Sequence, residues 1–242
     1  MFGLGYGFDT SILVLIPAII FTMWAQARVT GTFRRYSQIA NSRGLTGAQA
    51  ARIVLDRNGL QNVEIRHISG NLTDNYNPGN RTLNLSDSVC NSASIGAVGV
   101  ACHEAGHAIQ HARHYAPLII RNSIVPVVNI ASGLSWILII AGIALTAGIQ
   151  GAGGTGTGIG SLLFNIGVIA FVAVIFFHLI TLPVEFNASR RAIKLIREYQ
   201  LVDGDELNGA RRVLRAAAMT YVAALATAVA NLIRVLLIRG RN

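Results

Sequence analysis

Four stretches of this chain are almost wholly apolar, and the segments between them alternate polar and apolar residues with strand or helix periods. Residues 10–27 carry no charge and approach the roughly 20 helical residues that cross a bilayer's hydrocarbon core. Residues 124–149, 161–182 and 216–238 repeat the pattern. The last is interrupted by Asn231 and by Arg234, whose head group is expected to snorkel to the interface.

Residues 36–122 contain no such run. Thr46 is suited to cap a helix whose apolar side is Ala50, Ile53, Val54 and Leu55, and Gly59 is suited to stop it. Residues 63–68 and 81–86 alternate, a strand signal. The turn-rich residues 73–80 between them predict a hairpin with a long polar loop. A further helix is predicted from about residue 92 to 114. Residues 150–160 are rich in glycine and read as a flexible turn, since no Gly-Lys-Ser/Thr follows to make a phosphate loop. Residues 183–215 are charged and helical, with Pro183 suited to the first turn of a new helix.

Composition sharpens this picture. At 52% hydrophobic and 13% charged, the chain is too apolar for an ordinary soluble domain. The net charge of +9 is almost all arginine, placed beside the apolar runs. That pattern suits membrane orientation and anionic headgroups better than nucleic acid, and no aromatic-interleaved basic patch argues otherwise. Two cysteines make no disulfide framework. Cys102, although beside a histidine, reads as a small packing residue. Ala25-Gln26-Ala27 resembles a signal-peptide cleavage site, but Asp9 stands where a basic region should be, so an uncleaved anchor is expected.

Charge also sets topology. Residues 28–123 hold ten arginines and residues 183–215 hold seven arginines or lysines, whereas the first segment and the Gly-rich turn hold none. The remaining three, Arg234, Arg239 and Arg241, run against the trend. The positive-inside rule puts both heavily basic segments in the cytoplasm. The expected architecture is a mainly α integral membrane protein, with four transmembrane helices and a small α+β cytoplasmic domain, zincin-like in carrying the H-E-x-x-H residues His103, Glu104 and His107. Its parts are an anchor (1–27), the cytoplasmic domain (28–123), a transmembrane hairpin (124–182), a cytoplasmic helical segment (183–215) and a last span (216–242).

The chemistry centres on His103, Glu104 and His107, an H-E-x-x-H motif. On a helix the histidines fall one turn apart, so both imidazoles can reach one Zn²⁺. Glu104 is placed to act as general base on the water of such a site. A third ligand is needed. Glu185, on the same side of the membrane, supplies a carboxylate for a His₂Glu set; alternatively it complements a helix dipole, worth about 0.3–1 kcal/mol. His111 competes, but three ligands on one straight helix wrap a tetrahedral ion poorly. The position six residues after His107 is Arg113, so the metzincin pattern is absent. His178 lies within an apolar run and is a functional candidate on that ground alone.

Four stretches together resemble the bacterial YugP-type neutral zinc metallopeptidases of the membrane. They are Gly44-Leu45-Thr46-Gly47, residues 72–78, residues 103–111 and residues 181–189. The resemblance runs almost end to end. It implies a membrane zinc peptidase in the bacterial cytoplasmic membrane, with one catalytic Zn²⁺, His103 and His107 as ligands and Glu104 as base. More distantly the chain is similar to membrane gluzincins of the HtpX and CAAX-protease type, which pair H-E-x-x-H with a later E-x-x-x-D. Glu185 matches the glutamate, and Ser189 stands where the aspartate would be. Ser189 or Asn187 is therefore expected to orient the first histidine.

The expected activity is hydrolysis of extended or unfolded peptide segments, including membrane-protein segments, at the cytoplasmic membrane surface. In gluzincin-like folds a strand before the active helix pairs with substrate, which points to residues 81–86 with Asn84 among them. Tyr76 or an arginine is a candidate oxyanion donor. The competing classes are a non-catalytic membrane scaffold or chaperone-like adaptor that keeps a metal site, and a metal transporter with ligands at the bilayer midplane.

Overall fold

The computed structural model describes residues 10–151 and 158–240. The extreme N-terminus, the centre of the Gly-rich turn and Arg241 lie outside the described residues. Most of the rest is helical. A short 3-10 turn, Thr10–Val14, leads into α1 (Leu15–Ser37). There follow α2 (Gly47–Arg57), β1 (Glu64–Ile68), β2 (Asn75–Asn77), β3 (Thr82–Ser86), α3 (Ile95–Ala112), α4 (Ala116–Gly151), α5 (Ile159–Glu198) and α6 (Gly204–Arg239). Four helical segments, Ser11–Ser37, Ala116–Ile149, Ile159–Glu198 and Gly204–Arg239, are long and apolar enough to cross a membrane.

The long helices overrun the spans expected from hydropathy alone. At 1.5 Å per residue the 40 residues of α5 extend about 60 Å, twice the hydrocarbon thickness. Pro183 does not begin a helix: it lies inside α5, as Pro126 lies inside α4. A helix-interior proline forfeits one backbone hydrogen bond. Apolar helices of this length accommodate that loss by local adjustment. Glu185 is thus far from any helix N-terminus, and the dipole reading of it lapses.

The chain divides into two compact units, Met1–Met23 with Ser123–Leu179 and Val222–Asn242, and Trp24–Asn122 with Ile180–Tyr221. In the first, α4 and α5 approach backbone to backbone. A Cβ on Gly142 would meet Phe164 N at 2.6 Å, and one on Gly167 would meet Ile139 Cγ1 at 2.8 Å. Small residues at such crossings are how apolar helices gain packing without a hydrophobic driving force. Ile130, Ile137 and Ile169 on these helices are largely exposed.

The second unit has a conventional core. Thr46 caps α2 through a reciprocal box with Gln49, and Gly59 leaves the helix at φ +77°. The strands do not form the expected hairpin. β1 pairs in parallel with β3, and β2, taken from the turn-rich segment, pairs antiparallel with β3, giving the order β1-β3-β2. A parallel pair needs a crossover, which the intervening segment with β2 provides. β3 is therefore central and both its edges are occupied, which corrects the expectation that it pairs with substrate. Leu83 and Leu85 of β3 are wholly buried in one cluster with Val54, Leu55, Val98, Ile109 and Ile196.

α3 is rich in small residues for a packing reason. A Cβ on Gly106 would stand 3.0 Å from the Ala188 carbonyl oxygen of α5, and one on Gly99 would stand 3.4 Å from Ala210 Cβ of α6. Gly106→Val is expected to destabilise the fold by about 1–3 kcal/mol through overpacking. Gly31→Ala, where an added Cβ meets nothing within 4 Å, is the control and gains up to about 1 kcal/mol of helix propensity. Denaturant midpoints of the two variants check this; equal midpoints would refute the close α3–α5 contact.

Candidate metal centre

α3 presents His103 and His107 on one face, and the close approach at Gly106 brings Glu185 of α5 against them. Glu185 Oε2 lies 3.3 Å from His103 Nε2 and 3.6 Å from His107 Nε2. One ligand atom from each of the three residues falls within a span of 4.8 Å. The side chains are nearly closed to solvent, Glu185 at 3% exposure.

The hydrogen bonds assign the imidazole faces. Arg191 Nε, which can only donate, bonds Asn187 Oδ1 at 2.7 Å. Gln110 Nε2 donates to that same oxygen at 3.0 Å and to the Val184 carbonyl at 2.8 Å. The Gln110 oxygen must then face His107 Nδ1, 2.9 Å away, so Nδ1 carries the proton and Nε2 turns its lone pair toward Glu185. His103 Nδ1 is paired with Ser189 Oγ at 3.2 Å. Asn187 does not touch His103; it secures Gln110 instead. Burial disfavours charge on His107, but contact with Glu185 and the nearby Glu104 outweigh it and push its pKa up. Two imidazoles oriented from their far sides and facing one buried carboxylate have the donor set and polarity for a cation. Two imidazole nitrogens and one carboxylate oxygen suit zinc.

A cavity of about 190 Å³ opens beside these groups, lined by Glu104, His107 and Glu185 together with Asp74, Tyr76, Arg121 and Tyr221. Burial raises the pKa of Glu104, partly offset by His107 and His103. Burial likewise raises that of Asp74, which accepts from the Ser86 amide at 2.8 Å and hydroxyl at 2.9 Å and so ties β3 to the cavity wall. Arg121 Nη1 is 3.7 Å from Glu185 Oε1.

The other expected residues are placed apart. His111 points away and pairs through Nδ1 with the Tyr76 hydroxyl at 2.9 Å, so it is no member of the group and occupies the hydroxyl of the expected oxyanion donor. Asn84 bonds Asn75 across the sheet at 2.9 Å and does not line the cavity. His178 stands edge-on to the Phe177 ring, centroids 5.8 Å apart, and is no part of the metal-capable group. Gln110, Arg121 and Tyr221 were not legible as site residues, although Gln110 had a signal, an amide side chain three residues past His107 on the same helix.

A family model described as "Putative neutral zinc metallopeptidase" matches residues 11–240. The chain belongs to this family. It is 43% identical over 234 residues to the "Putative membrane protease YugP" of Bacillus subtilis (strain 168), covering 96% of this chain and 98% of that protein. No solved structure matches it. The family's description implies zinc, and His103, His107 and Glu185 lie within metal-binding distance of one another.

Cys102 is fully buried, its thiol pKa pushed well up by burial, which fits a packing role. A raised pKa keeps the thiol protonated at pH 8, so iodoacetamide is expected to leave Cys102 unmodified in the native protein and to label it in denaturant. Native labelling, read by mass spectrometry, would refute that burial.

Proposed function

We propose that this chain is a membrane zinc endopeptidase that hydrolyses extended or unfolded peptide segments at the cytoplasmic membrane surface. The observation that carries the reading is Glu104 lining one small cavity with His107 and Glu185, next to His103. His103, His107 and Glu185 would hold the ion. A bound zinc ion supplies Lewis acidity at the scissile carbonyl and a lowered pKa for water, about 7. Glu104 takes the proton of the attacking water on a carboxylate oxygen and delivers it to the leaving amine nitrogen. Its burial supports that exchange, because a raised carboxyl pKa brings it nearer to neutral operation. Gln110 and Ser189 keep the imidazoles turned inward.

Substrate pairing is reassigned from β3 to β2. β2 borders the cavity through Asn75 and Tyr76, and its side away from β3 pairs with no named strand among the described residues. Arg121, whose buried Nε has no hydrogen-bond partner, and Tyr221 are the donors proposed for the oxyanion. The cytoplasmic orientation rests on the ten and seven basic residues of 28–123 and 183–215. The scaffold reading leaves the buried Glu104 without a task. The transporter reading wants ligands at a bilayer midplane, and the metal-capable group draws on α3, which is no candidate span.

Detergent-purified Glu104→Gln is expected to keep zinc at the wild-type level and to lose peptide hydrolysis by about 10²–10⁴-fold. Chelation should abolish wild-type activity and zinc should restore it. Hydrolysis by the variant at the wild-type rate would sink the assignment of Glu104, and absence of zinc from both would sink the centre. Gln110→Leu removes the acceptor at His107 Nδ1 while conserving volume. Zinc affinity, read by competition with a metal-binding dye, should fall about 10–100-fold.

A further inference from the structure

One cleft plays no part in the peptidase reading. It lies between α1 and α6 and gathers Arg28 and Arg35 from the first helix with Arg212 and Arg215 from the second. The α1 pair is seven residues apart and the α6 pair three, so each pair shares a helix face. The cleft encloses about 950 Å³, and no carboxylate lines it. Among the described residues none of the four arginines has an ion-pair partner. Three of them make neutral contacts instead. Arg28 lies 5.4 Å from the Trp24 ring centroid, Arg35 lies 5.7 Å from that of Tyr36, and Arg212 Nη1 is 3.5 Å from the Tyr36 hydroxyl. These contacts orient guanidinium groups and neutralise none of their charge, so four like charges in one cleft ask for an anion. Gly31 lines the same cleft, and a Cβ added there meets nothing within 4 Å. The space is open where any other residue would begin to fill it.

We propose that this cleft binds the phosphate headgroup of an anionic phospholipid, an inference that rests on reading the four long helices as membrane spans. Guanidinium groups suit phosphate oxygens because they bond them in pairs. The lipid source is favoured by the order of residues along α1. Ile16, Ile19, Ile20 and Met23 are exposed apolar side chains, Trp24 follows, and Arg28 comes one turn later. Apolar residues, then an indole, then a guanidinium is the sequence met on passing from acyl chains to headgroups. A negatively charged leaflet attracts such arginines further.

The test measures lipid binding to the full chain in detergent by native mass spectrometry, with phosphatidylglycerol and phosphatidylcholine as probes. Phosphatidylglycerol is expected to bind about tenfold more tightly than phosphatidylcholine. The Arg28→Gln/Arg212→Gln double variant should lose about twenty-fivefold of that affinity, at about fivefold for each arginine near an anionic surface. Gly31→Leu, with all charges intact, should also lose it by filling the cleft, whereas Arg66→Gln, outside the cleft, should not. Equal binding of the two lipids, or full binding by either cleft variant, would overturn the site. Displacement of phosphatidylglycerol by millimolar inorganic phosphate would assign the cleft to free phosphate and overturn the lipid. Alkaline carbonate extraction of the chain from membranes reports separately: release into the soluble fraction would overturn the membrane reading beneath the proposal.

Discussion

Lone pairs on two imidazoles and a carboxylate that share one buried space repel unless a positive charge joins them. That constraint organises the second unit. Arg121 stands beside Oε1 of the buried Glu185 carboxylate, but Oε2 faces the two imidazoles, and leaving a buried charge only partly compensated costs several kcal/mol, a large share of a domain's net stability. The neighbouring hydrogen bonds make the requirement stricter, because they remove the freedom of His107 to turn its proton inward. The sequence of obligate roles starts at Arg191, which can only donate. It passes through Asn187 and Gln110 and ends with the Nδ1 proton of His107 facing away from Glu185. A proton or a metal ion must fill the gap, and the donor types suit zinc.

The geometry is reached by a helix that gives up intrinsic stability. Gly96, Gly99 and Gly106 each cost α3 up to about 1 kcal/mol relative to alanine. The close crossings they permit bury Ala97, Ala101, Ala105 and Ala108 almost completely. Glycine at 106 also sets the distance from α3 to α5, and so the distance from the imidazoles to Glu185. A bulkier residue would separate the very atoms that must converge.

What was legible in the sequence was local. The Thr46 N-cap, the helix over the H-E-x-x-H motif and the four apolar helices each follow from residues within a few turns of one another. Glu185 was legible through topology, because charge placed its segment on the same side as the motif, and through resemblance. The strand order was not legible. β2 is three polar residues inside a turn-rich segment, Asn75-Tyr76-Asn77, and only its pairing with β3 makes it a strand. Pro183 misled because the preference of proline for a first turn is a local rule, while the continuity of α5 is not. Arg121 and Tyr221 reach the cavity from segments with no motif of their own.

The number of donors bears on whether a metal here would serve structure or chemistry. Structural zinc sites are closed, with four protein ligands; catalytic sites hold three and leave one position for water or substrate. Among the described residues the metal-capable group has three members. Two other potential donors on α3 are otherwise committed. His111 is paired with Tyr76, and the Cys102 thiol is sealed in the core with its pKa raised. The Glu104 carboxyl instead borders the adjoining cavity, where a structural site would have no use for a second acid. Three donors with a buried acid beside them favour a peptidase over a scaffold stapled by zinc, so the proposed reading rests on the size of the donor set among the described residues as much as on the motif.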